Sequence, residues 1–213
     1  MEASTANTAD WLIAFGTIAA VVVALGTQGW ISWREHHRRP KLSLSFDRFA
    51  YAWESQRDGT QIRYLRLAVS NDRDKHAAED VEVLILRVDG GPRGGTVFDR
   101  WYANAALRWP NERPEDRPRV TVSPAATRYV DVGFWTLSKD NDGGLPSFRF
   151  EFALDMKPHS DRHILEPGEY EIELAVVPRN ADSSRWIVHM SFESVASDNL
   201  QPHNVKYDVG RVE

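Results

Sequence analysis

The chain has 213 residues, with 26 Lys+Arg against 31 Asp+Glu, seven His, no Cys and a net charge of −5. The first 40 residues hold three bases (Arg34, Arg38, Arg39) and three acids (Glu2, Asp10, Glu35), so the whole acidic excess falls on residues 41–213, a length that suits one domain with a sizeable core. That balance speaks against sequence-independent nucleic-acid binding, and the missing cysteine excludes disulfides, thiolate catalysis, Cys-ligated zinc and iron–sulfur clusters.

Residues 1–10 carry no Lys or Arg. Residues 11–33, from Trp11 to Trp33, carry no formal charge, and nine of these 23 are Leu, Ile, Phe or Val. As a helix the run rises about 34 Å, enough for a hydrocarbon core of about 30 Å. Trp11 at one end and Trp30 and Trp33 at the other suit the two headgroup layers. The flank at 34–41 then brings Arg34, Arg38, Arg39 and Lys41, with His36 and His37 among them. Basic flanks stay cytoplasmic and meet anionic inner-membrane lipid, so the expected topology is single-pass, with residues 1–10 outside and the large domain in the cytoplasm. A signal peptide would place its basic residues before the apolar run. Gly16, Ala20, Ala24 and Gln28 recur every four residues. Small residues so spaced let two helices approach, with the Gln amide bonding across, which predicts a homo-oligomer; Ala and Gly are also simply common in membrane helices.

Residues 42–213 read as β-structure. Leu42, Leu44 and Phe46 alternate with polar residues, and Phe49, Tyr51 and Trp53 extend the pattern. Leu65, Leu67 and Val69 form the next strand, and Val81–Val88 a third whose Leu84-Ile85-Leu86 centre is covered on both faces. Leu67-Ala68-Val69-Ser70-Asn71, a polar loop, then Ala78-Glu79-Asp80-Val81 resembles a hairpin of immunoglobulin-like sandwich modules in bacterial proteins, including CARDB-type adhesion modules. The usual loop Gly is replaced here by Asp-Arg-Asp-Lys-His. This resemblance implies a fold and no activity.

Residues 89–127, rich in Gly and Pro, read as a long irregular insert. Phe98, Arg100, Trp101, Tyr102, Arg108 and Trp109 make it the expected ligand- or partner-binding surface, because exposed Trp and Tyr beside Arg are typical of hot spots. The other reading is a connector with one short strand or helix, whose Trp residues cover the sandwich edge. Strands follow at Val130–Phe134, at Phe148–Met156, and at Ile172–Val176 after Leu165-Glu166-Pro167-Gly168-Glu169-Tyr170. That stretch resembles the corner of immunoglobulin-like sandwiches in which the Tyr hydroxyl returns to upstream backbone. Trp186–Phe192 is the last strong strand, and Val205, Tyr207 and Val209 add an edge. The expected fold is mainly β: one N-terminal transmembrane helix, then an antiparallel immunoglobulin-like sandwich, with a small barrel as the alternative.

Chemistry is sparse. No phosphate-binding Gly-rich loop, Gly-x-Ser-x-Gly elbow or His-Glu-x-x-His occurs. His159, Asp161, His163 and Glu166 form the densest group of metal-type ligands but read as a solvated loop. Asp140-Asn141-Asp142-Gly143-Gly144 resembles the start of a calcium loop, yet Leu145 stands where Gly is required. No catalytic residue, cofactor or metal is expected. The function expected is a non-enzymatic bacterial membrane protein whose cytoplasmic sandwich binds a protein or small ligand. One alternative resembles, in architecture, membrane effectors of bacterial anti-phage systems, with the sandwich sensing a signal such as a nucleotide and the helices clustering. Another is an envelope protein with the domain outside.

Overall fold

A computed structural model of the chain describes residues 4–46, 53–55, 61–92, 99–110, 119–138, 147–193 and 203–212. It divides into two compact units, Met1–Arg39 and Pro40–Glu213. The first is a single helix, α1 (Ser4–His37), 34 residues long or about 51 Å. Its Trp11–His37 stretch is long and apolar enough to cross a membrane, and none of its most apolar window is buried. The helix continues past Trp33 through Arg34 to His37, so the first part of the basic flank is helical. It stops before Pro40, whose ring disfavours helical geometry at the preceding residue. Arg34, His36 and His37 occupy its last turn, where cations complement the unpaired carbonyls. Thr17 and Thr27 return their hydroxyls to the Ile13 and Val23 carbonyls at 2.8 Å, satisfying those groups within the helix.

The second unit is a β-sandwich. In chain order its strands are β1 (Leu42–Phe46), β2 (Trp53–Ser55), β3 (Gln61–Asn71), β4 (Ala78–Pro92), β5 (Asp99–Ala106), β6 (Val120–Val122), β7 (Thr127–Ser138), β8 (Ser147–Phe152), β9 (Ile164–Leu165), β10 (Gly168–Val177), β11 (Ser184–Glu193) and β12 (His203–Arg211). They form two six-stranded sheets, one ordered β1-β3-β7-β8-β9 with β2 also on β3, the other β12-β11-β10-β4-β5 with β6 also on β4. Alternating apolar residues bury one face of each sheet, as in the pattern along Gly168–Val177 and Ser184–Glu193. Trp135 meets Phe150 at 4.9 Å and Phe192 of the other sheet at 6.5 Å, both edge-on.

The ladders stay separate, so the architecture is a sandwich and not a closed barrel, but both sides are drawn together. Leaving β5, Leu107 donates to Val83 O of the second sheet at 2.8 Å, and Arg108 then donates to Ala153 O and accepts from Asp131 N–H beside the first. On the opposite side Phe46 of β1 stacks on Tyr207 of β12 at 4.4 Å. Immunoglobulin domains order their first sheet A-B-E-D. Here β7 occupies the E place and β8 the D place, so these two strands follow in the reverse chain order.

Several sequence expectations are corrected. The insert at 89–127 contains β5 and β6, and β4 itself runs to Pro92. The Asn71–Ala78 connection is no hairpin, since β3 and β4 lie in different sheets. Asn71 bolts that crossing instead. Its buried amide donates to His76 O at 2.8 Å and Val122 O at 3.1 Å and accepts from Lys41 N–H at 3.3 Å. Asn71→Leu should lower stability by about 2–3 kcal/mol, because carbonyls buried by the crossing lose their donors; a chemical-denaturation midpoint measures this. The strand expected at Phe148–Met156 ends at Phe152. Leu154 turns in to bridge Leu107, and Met156 is 82% exposed. Leu86 is an extra residue between Ile85 and Arg87 in the pairing with β10, a bulge that breaks the covered centre expected there, whereas towards β5 the extra residue lies on β5, between Tyr102 and Ala105.

The tyrosine corner forms as expected. Tyr170 Oη donates to Glu166 O at 2.7 Å, and the ring is buried. Opposite it, Gly90 has φ +138° and a Cβ there would sit 2.2 Å from Glu169 O, so only glycine fits. Burial, then the Glu166 carboxylate, push the Tyr170 hydroxyl from 10.0 up to about 12. A raised acid favours the fold below its unfolded value and loses that contribution as pH climbs through the folded one. Stability of the wild type should therefore drop between pH 10 and about 12. Tyr170→Phe should be about 0.5–1.5 kcal/mol less stable at pH 7 and should fall less over that window, as read from unfolding midpoints at stepped pH.

Candidate binding surface

The outer face of the second sheet carries the densest set of functional groups. Register aligns Asp208 of β12, His189 of β11, Glu171 of β10, Asp89 of β4 and Arg100 of β5 in one row. The next row holds Gly210, Ile187, Glu173, Arg87 and Tyr102. Arg87 is shared among Asp89 at 3.2 Å, Glu171 at 3.0 Å and Glu173 at 3.5 Å. Arg185 also reaches Glu173, at 3.3 Å, and His189 Nδ1 lies 3.9 Å from Glu171. Carboxylates outnumber their cationic partners, and the face is net acidic. Towards β12 the strands frame an open groove of about 500 Å³, its polar lining being Glu169, Glu171, His189, Ser191, Lys206 and Asp208. A smaller hollow of about 180 Å³ lies by the tyrosine corner, between Val88, Gly90, Arg162, Ile164 and Tyr170.

Of the six residues expected to bind a partner, Arg108 and Trp109 have side chains among the described residues. Phe98 lies outside the described residues, as do the side chains of Arg100, Trp101 and Tyr102, whose backbones form β5 opposite Asp89, Val88 and Arg87. Arg108 follows β5 at the crossing and donates to Leu154 O at 3.4 Å. Trp109 is 2% exposed and belongs to the core, so it is not a surface hot spot. The groove residues were missed because β10 to β12 read as plain alternating strands, whose outward side chains look like solvated positions. Only registration of the strands puts Glu171, His189 and Asp208 side by side.

The His159–Glu166 group disperses. His163 is buried, with Nδ1 at 3.0 Å from Ser160 O, whereas His159 and Glu166 are exposed. Among the described residues no group of three or more His, Asp or Glu side chains is placed to hold a metal ion. The calcium-like stretch 140–144 lies outside the described residues. In the helix, Gly16 has open space about it, Ala20, Ala24 and Gln28 are exposed, and Arg34, Arg38 and Arg39 follow at its end. Lys41 belongs to the β-unit through its backbone bond to Asn71. No protein-family model matches the chain, and neither a curated protein nor a solved structure does.

Proposed function

We propose that the chain is a non-enzymatic, single-pass bacterial membrane protein whose sandwich faces the cytoplasm and binds a partner on the outer face of its second sheet. The observation that carries this reading is the groove along β10–β12. It is open, lined by charged side chains, and continuous in register with Arg100 and Tyr102 of β5. The net acidic rows favour a basic protein segment or a cationic small ligand. The span and its Arg34–Arg39 flank supply the orientation, with the N-terminus outside. The sandwich is read as an immunoglobulin-like module on the strength of its tyrosine corner and its two antiparallel sheets.

Protease protection tests the orientation. Digestion of the sandwich only in inside-out vesicles is expected; digestion in right-side-out vesicles would move the domain to the envelope. Glu171→Lys with Asp208→Lys tests the face. Loss of at least about tenfold in partner affinity with an unchanged unfolding midpoint is expected, and retained binding would discard the surface.

A second reading is favoured by the helix. With both Thr hydroxyls bonded internally, Gln28 is left to bond across a helix pair packed on Gly16, Ala20 and Ala24. In that reading the sandwich senses a signal and clusters the spans, as in anti-phage membrane effectors. Gly16→Ile with Ala20→Ile should then remove toxicity on overexpression; unchanged toxicity would end this reading.

A further inference from the structure

We propose that the hollow beside the tyrosine corner is a binding site for a small zwitterion with an apolar tail, a free α-amino acid of the leucine type. The hollow has about 180 Å³, below the range of about 300–1,000 Å³ that takes drug-sized ligands. Its occupant is correspondingly small. Of its lining residues only Tyr170 also borders the groove on the outer face. The inference is thus independent of the partner surface, and of the side of a membrane on which the sandwich lies.

Strand β9 delivers the recognition groups. Its two residues, Ile164 and Leu165, form one apolar wall, and Val88 and Tyr170 complete the apolar lining. Gly90 and Gly91 add no side chain, so that part of the wall is bare main chain. The bare stretch is paired already, Gly90 with Tyr170 and Gly91 with Glu169 in the β4–β10 ladder. The Tyr170 hydroxyl is likewise engaged, donating to Glu166 O at 2.7 Å. The charged groups come from the two ends of β9. Arg162 stands just before it and Glu166 just after it, and both line the hollow.

Each charge is positioned by the main chain and not by the other. Arg162 lies in the Asp161–His163 turn, which buried His163 pins with its Nδ1 at 3.0 Å from Ser160 O. Among the described residues Arg162 has no ion pair. Glu166 is held through its carbonyl by Tyr170, and its carboxylate meets Arg149 at 3.8 Å with side-chain exposures of 42% and 60%. A solvated bridge of that kind is worth little, so the carboxylate remains available. A cation and an anion that border one hollow without meeting suit a ligand that carries both charges. Its carboxylate takes the Arg162 guanidinium, whose fork accepts both oxygens. Its ammonium takes Glu166, and its side chain lies against Val88, Ile164 and Leu165. A simple anion would face Glu166 and a simple cation would face Arg162, and like charges so placed oppose binding.

Full-length protein in detergent, titrated with L-leucine and followed by ligand-observed NMR, should give a Kd on the order of 1 mM. Three probes each lack one feature: isocaproate the ammonium, isoamylamine the carboxylate, and glycine the apolar tail. Each should bind at least about tenfold more weakly than leucine. R162Q and E166Q should each weaken leucine about tenfold. Their unfolding midpoints should match wild type, since both side chains are exposed and E166Q keeps the carbonyl that Tyr170 holds. Isocaproate or isoamylamine binding as tightly as leucine would make this a site for a single charge and overturn the proposal. Leucine binding weaker than about 10 mM, or undiminished in either variant, overturns it as well.

Discussion

Asp131→Ala is expected to destabilise the sandwich by about 2–4 kcal/mol, because it leaves a half-buried guanidinium without its counter-charge. Arg66 Nε lies 2.5 Å from Asp131 Oδ1, with side-chain exposures of 18% and 6%. The two residues face each other across β3 and β7 at a point where the register shifts between Leu65 and Arg66. The same Asp131 donates its backbone N–H to Arg108 O, where the chain crosses between sheets. The pair therefore sits at the junction of three segments. Arg66→Ala should cost a similar amount, since it strands a carboxylate of still lower exposure. Replacing both, as Arg66→Met with Asp131→Leu, removes two desolvated charges together and should recover most of the loss. A double-mutant cycle from denaturant titrations measures the coupling. A loss below about 1 kcal/mol for either single change would mean that the pair behaves as a solvated surface bridge. Domains of this size hold only about 5–15 kcal/mol in total, so the single variants should also show reduced soluble yield.

How much of this was legible beforehand depends on the kind of signal. The N-terminal helix, long and apolar enough to cross a membrane, was legible because the 23 residues from Trp11 to Trp33 carry no charge. Period-two alternation located β1, β3, β7, β10, β11 and the edge strand β12, and the Leu-x-Pro-Gly-x-Tyr stretch located the corner that Tyr170 closes. The alternation could not say which sheet a strand joins, since it records burial of a face and not the identity of a neighbour. The Asn71–Ala78 stretch resembles a sandwich-module hairpin in sequence, and alternation alone does not reveal that it is an arch between sheets. Gly and Pro hid β5 and β6, whose pairing with β4 runs through register shifts between Ile85 and Arg87 and between Ala78 and Val81 that no local pattern signals. The groove was illegible for a related reason. Glu171, His189 and Asp208 are distant in sequence and become neighbours only through the pairing of three strands.

Trp109→Ala is expected to cost about 3–5 kcal/mol of stability, and this result separates two roles that its sequence context left open. Beside Arg108, in a stretch rich in Gly and Pro, a tryptophan fits a binding hot spot; at 2% exposure it is a wedge in the core. A hot-spot tryptophan on the surface can be truncated with a change in stability of about 0.5 kcal/mol or less, and the loss appears in partner affinity. A buried one leaves a cavity that the stitched sheets relax into poorly, because Leu107 and Arg108 on one side of it are tied to Val83, Ala153 and Asp131. The urea midpoint should accordingly fall by about 2 M for a slope of about 2 kcal/mol per M. Trp109→Phe keeps most of the apolar volume and should lose less than half as much. Tyr207, in contrast, lies on an edge strand outside this junction, and charge changes at Lys206 or Asp208 should leave the midpoint within about 0.5 kcal/mol of wild type. If Trp109→Ala kept its midpoint and lost a partner, the crossing would be a recognition element; a lower midpoint makes it the structural lock that holds the outer face of the second sheet in register.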